Sequence, residues 1–161
     1  MPQIIAVNDS KTAGTIVCWS LTGSVEVSKF IANWLVGLAY RCKAIALRPR
    51  GGVYFIPQAH VAEFAQYVEV LHETAVGSHV YQIPAMQSDA AVQAILAALQ
   101  AEVSEALAEI NEDIASCVQN RVKDSRRLRC AKLQEKVKVY ADLLQVNLDS
   151  LQDSIEETAN V

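Results

Sequence analysis

Apolar and polar positions follow different rhythms in the two halves of the chain, and in the first half the rhythm changes every few residues. Residues 15–21 are β-branched and aromatic, which is typical of a strand. Over residues 27–38 the apolar positions recur every three or four residues, which predicts an amphipathic helix with Ser24 as its N-cap. The first predicted elements are therefore a strand and a helix.

The same reasoning predicts further elements up to residue 85. Residues 44–47, 53–56 and 80–83 have the composition of strands, with Pro57 and Pro84 as stops. Residues 61–71 have helical spacing and end before Gly77, and residues 4–7 form a short extra strand. From residue 15 the order is β-α-β-β-α-β, the ferredoxin-like order. We expect an α+β fold with an antiparallel sheet and both helices on one face.

The second half is helical throughout. Gly77 is the last glycine and Pro84 the last proline, so 77 residues follow without either. This change predicts a ferredoxin-like head over residues 1–85 and a helical segment over residues 86–161, capped by Ser88 or Asp89. Two apolar seams have coiled-coil spacing. They are Val92, Leu96, Leu99, Val103, Ala106 and Ile110, and then Cys130, Leu133, Val137, Tyr140 and Leu144, continuing towards Leu151 and Ile155.

Charge decides between one long rod and a hairpin. A single helix of about 70 residues would be about 105 Å long. The first seam carries only acids, whereas residues 121–138 hold eight of the fourteen Lys and Arg residues. An antiparallel hairpin turning near residue 121, with a second helix starting at Asp124 or Ser125, sets acids beside bases. A parallel dimer would stack acid on acid. We therefore predict a long antiparallel coiled-coil hairpin, with the rod as the alternative.

Composition narrows the class of protein. Apolar residues make up 52% of the chain, which is enough for a core, and the net charge of −4 excludes a globally basic nucleic-acid binder. The four cysteines are not closely spaced, which favours reduced thiols rather than a zinc site or disulfides. The N-terminal residues lack the pattern of a signal peptide, and the apolar run over residues 30–40 is too short to span a membrane. We expect a cytoplasmic protein with no membrane partner.

The segment Arg48-Pro49-Arg50-Gly51-Gly52 is the most suggestive short motif. Two guanidinium groups flank a rigid proline, and the glycines allow close approach of a ligand to the backbone. Arg50, Gly51 and Tyr54 resemble the third strand of RNA-recognition motifs, whereas Gly52 and Val53 depart from it and residues 16–18 offer no partner aromatic. The resemblance implies a nucleic-acid contact. The alternative is a hairpin turn with glycines at positive φ.

Three arginines of the basic run, Arg126, Arg127 and Arg129, complete this tentative nucleic-acid site. A row of cations along a helix can bind phosphates. The alternative interpretation makes the row the partner of the acidic helix or a solvated face of the coiled coil.

Residues 46–57 also resemble a segment of an uncharacterised protein family of prokaryotes and their viruses. That resemblance carries no known activity. It implies a phage or mobile-element context and nothing more.

Catalytic chemistry has no convincing set of residues. His60 and Glu63 are spaced to reach one metal, but a third ligand is missing, so we predict no metal and no cofactor. His60, Glu63 and His79 are the only remote catalytic candidates, and we predict no catalytic residue and no enzymatic activity.

The leading hypothesis is a non-enzymatic interaction or scaffold protein that forms homo-oligomers or docks to a protein partner through the helical hairpin. Its outward apolar positions, Ile95, Leu107, Val146 and Leu148, need a cover, which is either the head or another subunit. The alternative hypothesis is a nucleic-acid-binding accessory protein of a phage or mobile element that uses the arginine-glycine segment and the basic helix.

Overall fold

The structure is a computed structural model that describes residues 11–49, 52–116 and 120–161. The strand predicted at residues 4–7 lies outside these ranges. The described chain is a mixed α+β fold with a four-stranded antiparallel sheet and five helices. In chain order the elements are β1 Thr12–Ser20, α1 Val25–Arg41, β2 Ile45–Ala46, β3 Tyr54–Pro57, α2 Gln58–Thr74, β4 His79–Met86, α3 Asp89–Ser116, α4 Asn120–Leu144 and α5 Asp149–Asn160.

The sheet has the strand order β2-β3-β1-β4, and every neighbouring pair is antiparallel. Contrary to our prediction, Pro84 does not end β4. It lies within the strand opposite Thr15, and β4 continues to Met86. The physical reason is that β4 is an edge strand, where a residue without an N–H group does not interrupt a ladder on both sides.

Helix α1 begins and ends through local backbone chemistry. The Ser24 hydroxyl accepts a hydrogen bond from the Val27 N–H at 3.3 Å, which confirms the predicted N-cap. At the other end the chain turns through Lys43, which has a φ of +58°, so that Ala44 N–H can donate to the Ala39 carbonyl at 3.0 Å. Glycine usually occupies such a position, and a lysine there is strained.

The sheet is the middle of three layers, because both of its faces are covered. On one face, strand residues pack against α1 and α2 in a buried cluster that includes Val17, Ile56, Leu35, Phe64 and Val68. On the other face, strand residues share a second buried core with α3, α4 and α5. That core includes Ala13, Ile45, Phe55, Leu99, Val103, Val137, Tyr140 and Ile155.

The helical half contains three helices rather than the predicted two. The chain leaves helical geometry at Gln145, whose φ is +54°, and α5 then packs back into the same core through Ile155. Asn147 makes the turn possible, because its side-chain oxygen accepts from the Asp149 N–H at 2.8 Å. The predicted start at Asp124 or Ser125 is also wrong, since α4 begins at Asn120.

Ion pairs show how α3 and α4 run. Arg129 of α4 binds Asp113 at 2.8 Å and Glu109 at 3.3 Å, and Lys136 binds Glu102. Residues later in α4 pair with residues earlier in α3, so the two helices lie side by side and run antiparallel. Acids and bases therefore pair as the charge pattern predicted.

Helix α3 is also long and apolar enough, by length and composition alone, to cross a membrane. A mostly buried core helix of a globular fold passes the same test, but only 17% of the apolar window of α3 is buried. In this fold Ile95, Leu99 and Val103 of α3 are buried in the core shared with the sheet and α5. The expectation of no membrane partner stays a prediction.

The close approach of β1 and β3 gives a stability prediction. A Cβ atom on Gly14 would lie 2.1 Å from the Ile56 carbonyl oxygen and 2.7 Å from Phe55 Cζ. We expect Gly14→Ala to lower the free energy of unfolding by about 1–3 kcal/mol or more. The measurement is urea unfolding followed by circular dichroism.

Gly37, in the middle of α1, is the matched control, because a Cβ there meets no atom within 4 Å. Gly37→Ala should raise the free energy of unfolding by about 0.5–1 kcal/mol. Equal unfolding midpoints for the two variants would contradict the packing at Gly14.

Candidate functional site

Arg48, Pro49 and Gly52 of the arginine-glycine segment lie between β2 and β3. Leu47 N–H donates to the Val53 carbonyl at 3.0 Å, and Gly52 has a φ of +59°, as expected for a hairpin turn. Arg48 is exposed on this turn, whereas Arg50 and Gly51 lie outside the described residues.

Tyr54 does not lie on an open face of the sheet. Its ring stacks on Trp19 with 5.4 Å between centroids and meets Tyr40 edge-on at 5.9 Å, under α1. Phe55 points to the opposite face and packs near Tyr140 at 6.2 Å. Stacking of nucleic-acid bases requires an exposed aromatic ring, and neither of these side chains provides one.

Arg48 faces an acidic neighbourhood. Together with Pro49 it borders a groove of about 660 Å³ whose opposite wall is an alanine-rich face of α3. Glu102 and Glu105 of α3 line the same groove. Two carboxylates beside one guanidinium group oppose the binding of a phosphate backbone there.

The three arginines of the basic helix do not share one surface. Arg126 is buried, with 7% of its surface exposed, and Arg129 is held by Glu109 and Asp113. Arg127 is exposed. The structure therefore brings Arg129 to the acidic helix and keeps Arg126 away from solvent.

A buried polar cluster joins α4 to the end of α1. Lys136 Nζ donates to the Ala44 carbonyl at 2.6 Å and to Glu102 Oε1, and it lies 5.1 Å from the centre of the Tyr40 ring. The Tyr140 hydroxyl donates to the Lys43 carbonyl at 2.7 Å. Two side chains of α4 thus satisfy consecutive backbone carbonyls just before β2.

Burial controls the protonation of this cluster. It lowers the pKa of Lys136, with a further lowering from Lys43, while Glu102 acts in the opposite direction. It raises the pKa of Tyr140, with Glu102 adding to the rise. Glu102 Oε2 is buried without a hydrogen-bond partner among the described residues. Burial of the Lys136–Glu102 pair therefore carries a free-energy cost of desolvation.

Above this cluster a cleft of about 520 Å³ opens between α1, α3 and α4. Five cations line it against two carboxylates, together with a few small or apolar residues. The charged lining residues are Arg41, Lys43, Arg129, Lys132, Lys136, Glu102 and Glu135. Sequence reasoning treated the cations of α4 as a strip and missed the cleft. Its α1 wall lies more than 50 residues before the α3 and α4 walls in the sequence, and no local pattern marks the three together.

A second surface feature is apolar. Phe30 is 74% exposed on α1, and Val27, Trp34 and Val70 are exposed beside it. These side chains border a groove of about 480 Å³ between α1 and α2. We call this surface, with Val27, Phe30, Ile31, Trp34, Val70 and Leu71, the α1–α2 face.

The remaining candidates do not assemble into a reactive site. His60 Nδ1 lies 3.9 Å from Glu63, and His72 Nε2 accepts a hydrogen bond from Val80 N–H. Among residues 11–49, 52–116 and 120–161 no three His, Cys, Asp or Glu side chains are grouped to hold a metal. Cys42 and Cys130 are buried and Cys18 is half-buried, all three as free thiols, while Cys117 lies outside the described residues.

Fold and site define the class as an α+β protein with a covered sheet, a basic cleft at one sheet edge and an exposed apolar helix face. The chain belongs to a family of unknown function, DUF6744, whose model matches residues 14–160. No curated protein and no solved structure matches it. The resemblance to an uncharacterised family, expected from residues 46–57, is thus found over nearly the whole chain, and the match says nothing of its origin.

The buried pair predicts a non-additive mutational effect. Lys136→Ala leaves the Glu102 carboxylate and the Ala44 carbonyl without their donor, and we expect a loss of about 3 kcal/mol in the free energy of unfolding. The double variant Glu102→Leu with Lys136→Met removes both charges and should be clearly more stable than Lys136→Ala. A double variant that is no more stable than Lys136→Ala in urea unfolding would contradict the pairing.

Cys42 predicts a pH dependence of stability. Burial raises the pKa of this thiol from 9.0 to about 11, with Glu63 adding to the rise and Arg41 opposing it. Because the folded state holds the proton more tightly, the stabilising contribution is full below pH 9.0 and is lost as the pH rises towards about 11. As the pH rises from 9.0 to about 11, the free energy of unfolding of Cys42→Ala should therefore fall less than that of the parent chain. Parallel curves from urea unfolding at matched pH would refute this.

Proposed function

We propose that this protein is a non-enzymatic interaction protein that self-associates through the α1–α2 face. The observation that carries the proposal is the exposure of Phe30, Trp34 and Val70 on one surface. Monomeric proteins rarely leave several large apolar side chains together in water, and such a patch marks an interaction site.

The proposed interface lies on the α1–α2 face, whereas the sequence suggested the helical hairpin. Ile95 and Leu148, two of the positions that needed a cover, are 3% and 7% exposed, and Leu107 and Val146 are partly buried in the core that the helices share with the head. The core shared by the sheet, α3, α4 and α5 therefore covers these positions. The α1–α2 face has no such cover from the described residues.

Two features of the α1–α2 face favour a second copy of the chain as the occupant. The face carries a projecting ring, Phe30, and beside it an apolar groove bordered by Val70 and Leu71. In a two-fold dimer the same patch faces itself, so the ring of each copy can enter the groove of the other. A patch with both a knob and a recess meets this requirement.

Other expectations remain proposals with support of different strength. The β-α-β-β-α-β order with strand order β2-β3-β1-β4 supports a ferredoxin-like head. Antiparallel ion pairs support a coiled-coil relation between α3 and α4. Nucleic-acid binding in a phage or mobile-element context has less support, because Tyr54 is buried under Trp19 and Tyr40. A cytoplasmic location and the absence of enzymatic activity stay predictions.

Light scattering coupled to size exclusion tests self-association. We expect a concentration-dependent dimer for the parent chain and a monomer for Phe30→Ser. Loss of a central aromatic side chain costs about 2 kcal/mol or more, and a two-fold interface contains it twice, so the dimer should weaken about 10³-fold.

Leu128→Ser is the matched control, because Leu128 is an exposed apolar residue on α4, at 59% exposure, away from the α1–α2 face. It should dimerise as the parent chain does. A parent chain that is monomeric at every concentration, or a dimer lost equally in Leu128→Ser, would overturn the proposal.

A further inference from the structure

The cleft between α1, α3 and α4 has no part in self-association through the α1–α2 face. It lies at the β2 edge of the sheet, where the end of α1 meets α3 and α4. Its volume of about 520 Å³ falls in the range of sites for small organic molecules, about 300–1,000 Å³. The size suits a small ligand rather than a strand of nucleic acid.

The charge of the lining favours a multiply charged anion. Five cations and two carboxylates line the cleft, and three further carboxylates, Glu63, Glu109 and Asp113, contact Arg41 or Arg129 from outside the lining. Lys136 is fully used by Glu102 and Ala44, and Arg129 is held at the rim by Glu109 and Asp113. Lys132 has no ion pair among the described residues. Arg41 has a largely exposed side chain whose guanidinium lies 3.9 Å from Glu63 and 5.8 Å from the centre of the Tyr67 ring, both on α2. Arg41 and Lys132 are therefore available to a ligand from opposite walls.

Lys43 adds an independent observation. It occupies a backbone position with a φ of +58°, where a lysine is strained by about 1–2 kcal/mol and glycine is not. Its side chain lines the cleft and binds Glu135 at 3.1 Å. Strain of this kind is often found at binding sites, where the side chain is needed in spite of it.

The cleft also has an uncharged wall. Ile110, Leu133 and Ala106 line it from α3 and α4, and Gly37 lines it from α1. Such a wall can cover the carbon skeleton of a ligand while cations bind its charged end.

We propose that this cleft binds a small organic phosphate, with Arg41, Lys43 and Lys132 contacting the phosphate oxygens and Ile110 and Leu133 contacting the carbon skeleton. A phosphate carries close to two negative charges at neutral pH, which the unpaired Lys132 and the exposed Arg41 can balance together. Guanidinium and ammonium groups are the usual partners of phosphate oxygens.

Isothermal titration calorimetry at low salt, with phenyl phosphate and inorganic phosphate as probes, tests the proposal. We expect both probes to bind one site per chain and phenyl phosphate to bind about tenfold more tightly, because its ring buries apolar surface. Titrations in the Phe30→Ser variant keep self-association out of the measurement. A failure at the cleft is then separate from a failure at the α1–α2 face.

Three variants locate the site. Arg41→Ala with Lys132→Ala should weaken phenyl phosphate at least tenfold, because both side chains are largely exposed and their loss leaves the fold intact. Gly37→Leu should block the cleft, because Gly37 lines it and a Cβ there meets no atom within 4 Å, and urea unfolding checks that the variant is folded. Lys43→Gly should weaken binding while the free energy of unfolding changes by less than about 1 kcal/mol.

Lys123→Ala with Arg127→Ala is the matched control, because these two cations lie on α4 outside the cleft lining. It removes the same net charge as the double cleft variant and should leave binding unchanged. Absence of phenyl phosphate binding in the parent chain overturns the proposal. So does undiminished binding in Gly37→Leu, or an equal loss in the control, which would indicate diffuse attraction to a basic surface.

Discussion

Two hydrogen bonds from α4 to the backbone just before β2 hold the layers of this molecule together. Lys136 and Tyr140 donate to the carbonyls of Ala44 and Lys43, across 92 and 97 residues of sequence. Lys43 and Ala44 lie between α1 and β2, and buried backbone carbonyls must be satisfied. Because the donors belong to α4, the end of α1, the β2 edge and the helical layer take up fixed positions together. The basic cleft exists only because these three parts meet.

Coverage of both sheet faces decides where the molecule can recognise anything. Phe55 faces the helical layer and Tyr54 faces α1, so the aromatic residues of β3 serve packing. Recognition then falls to surfaces outside the sheet. The α1–α2 face is apolar and suits a protein surface, whereas the cleft at the sheet edge is charged and suits a small anion. The two proposals use different chemistry at different places on α1.

The sequence predicted what depends on local spacing and missed what depends on distant partners. Ser24, the helices of the head and the pairing of acids with Arg129 follow from neighbours within one or two turns or from charge blocks. The turn at Asn147 was missed because no glycine or proline marks it, although Asn147 and Asp149 are turn formers. The cleft could not be predicted, because Gly37, Ala106 and Lys132 become neighbours only when the fold is complete.

The core shared by the sheet and the helical layer has a consequence for the order of events during synthesis. Ala13, Ile45 and Phe55 share their core with buried residues that lie 40 to 142 positions later in the chain. A ribosome would release the first four strands well before α4 and α5 emerge, so one face of the sheet stays in water during that interval. Exposed apolar strand faces on incomplete chains bind chaperones or aggregate. Slow translation between residues 90 and 150 would therefore lower the soluble yield of this chain.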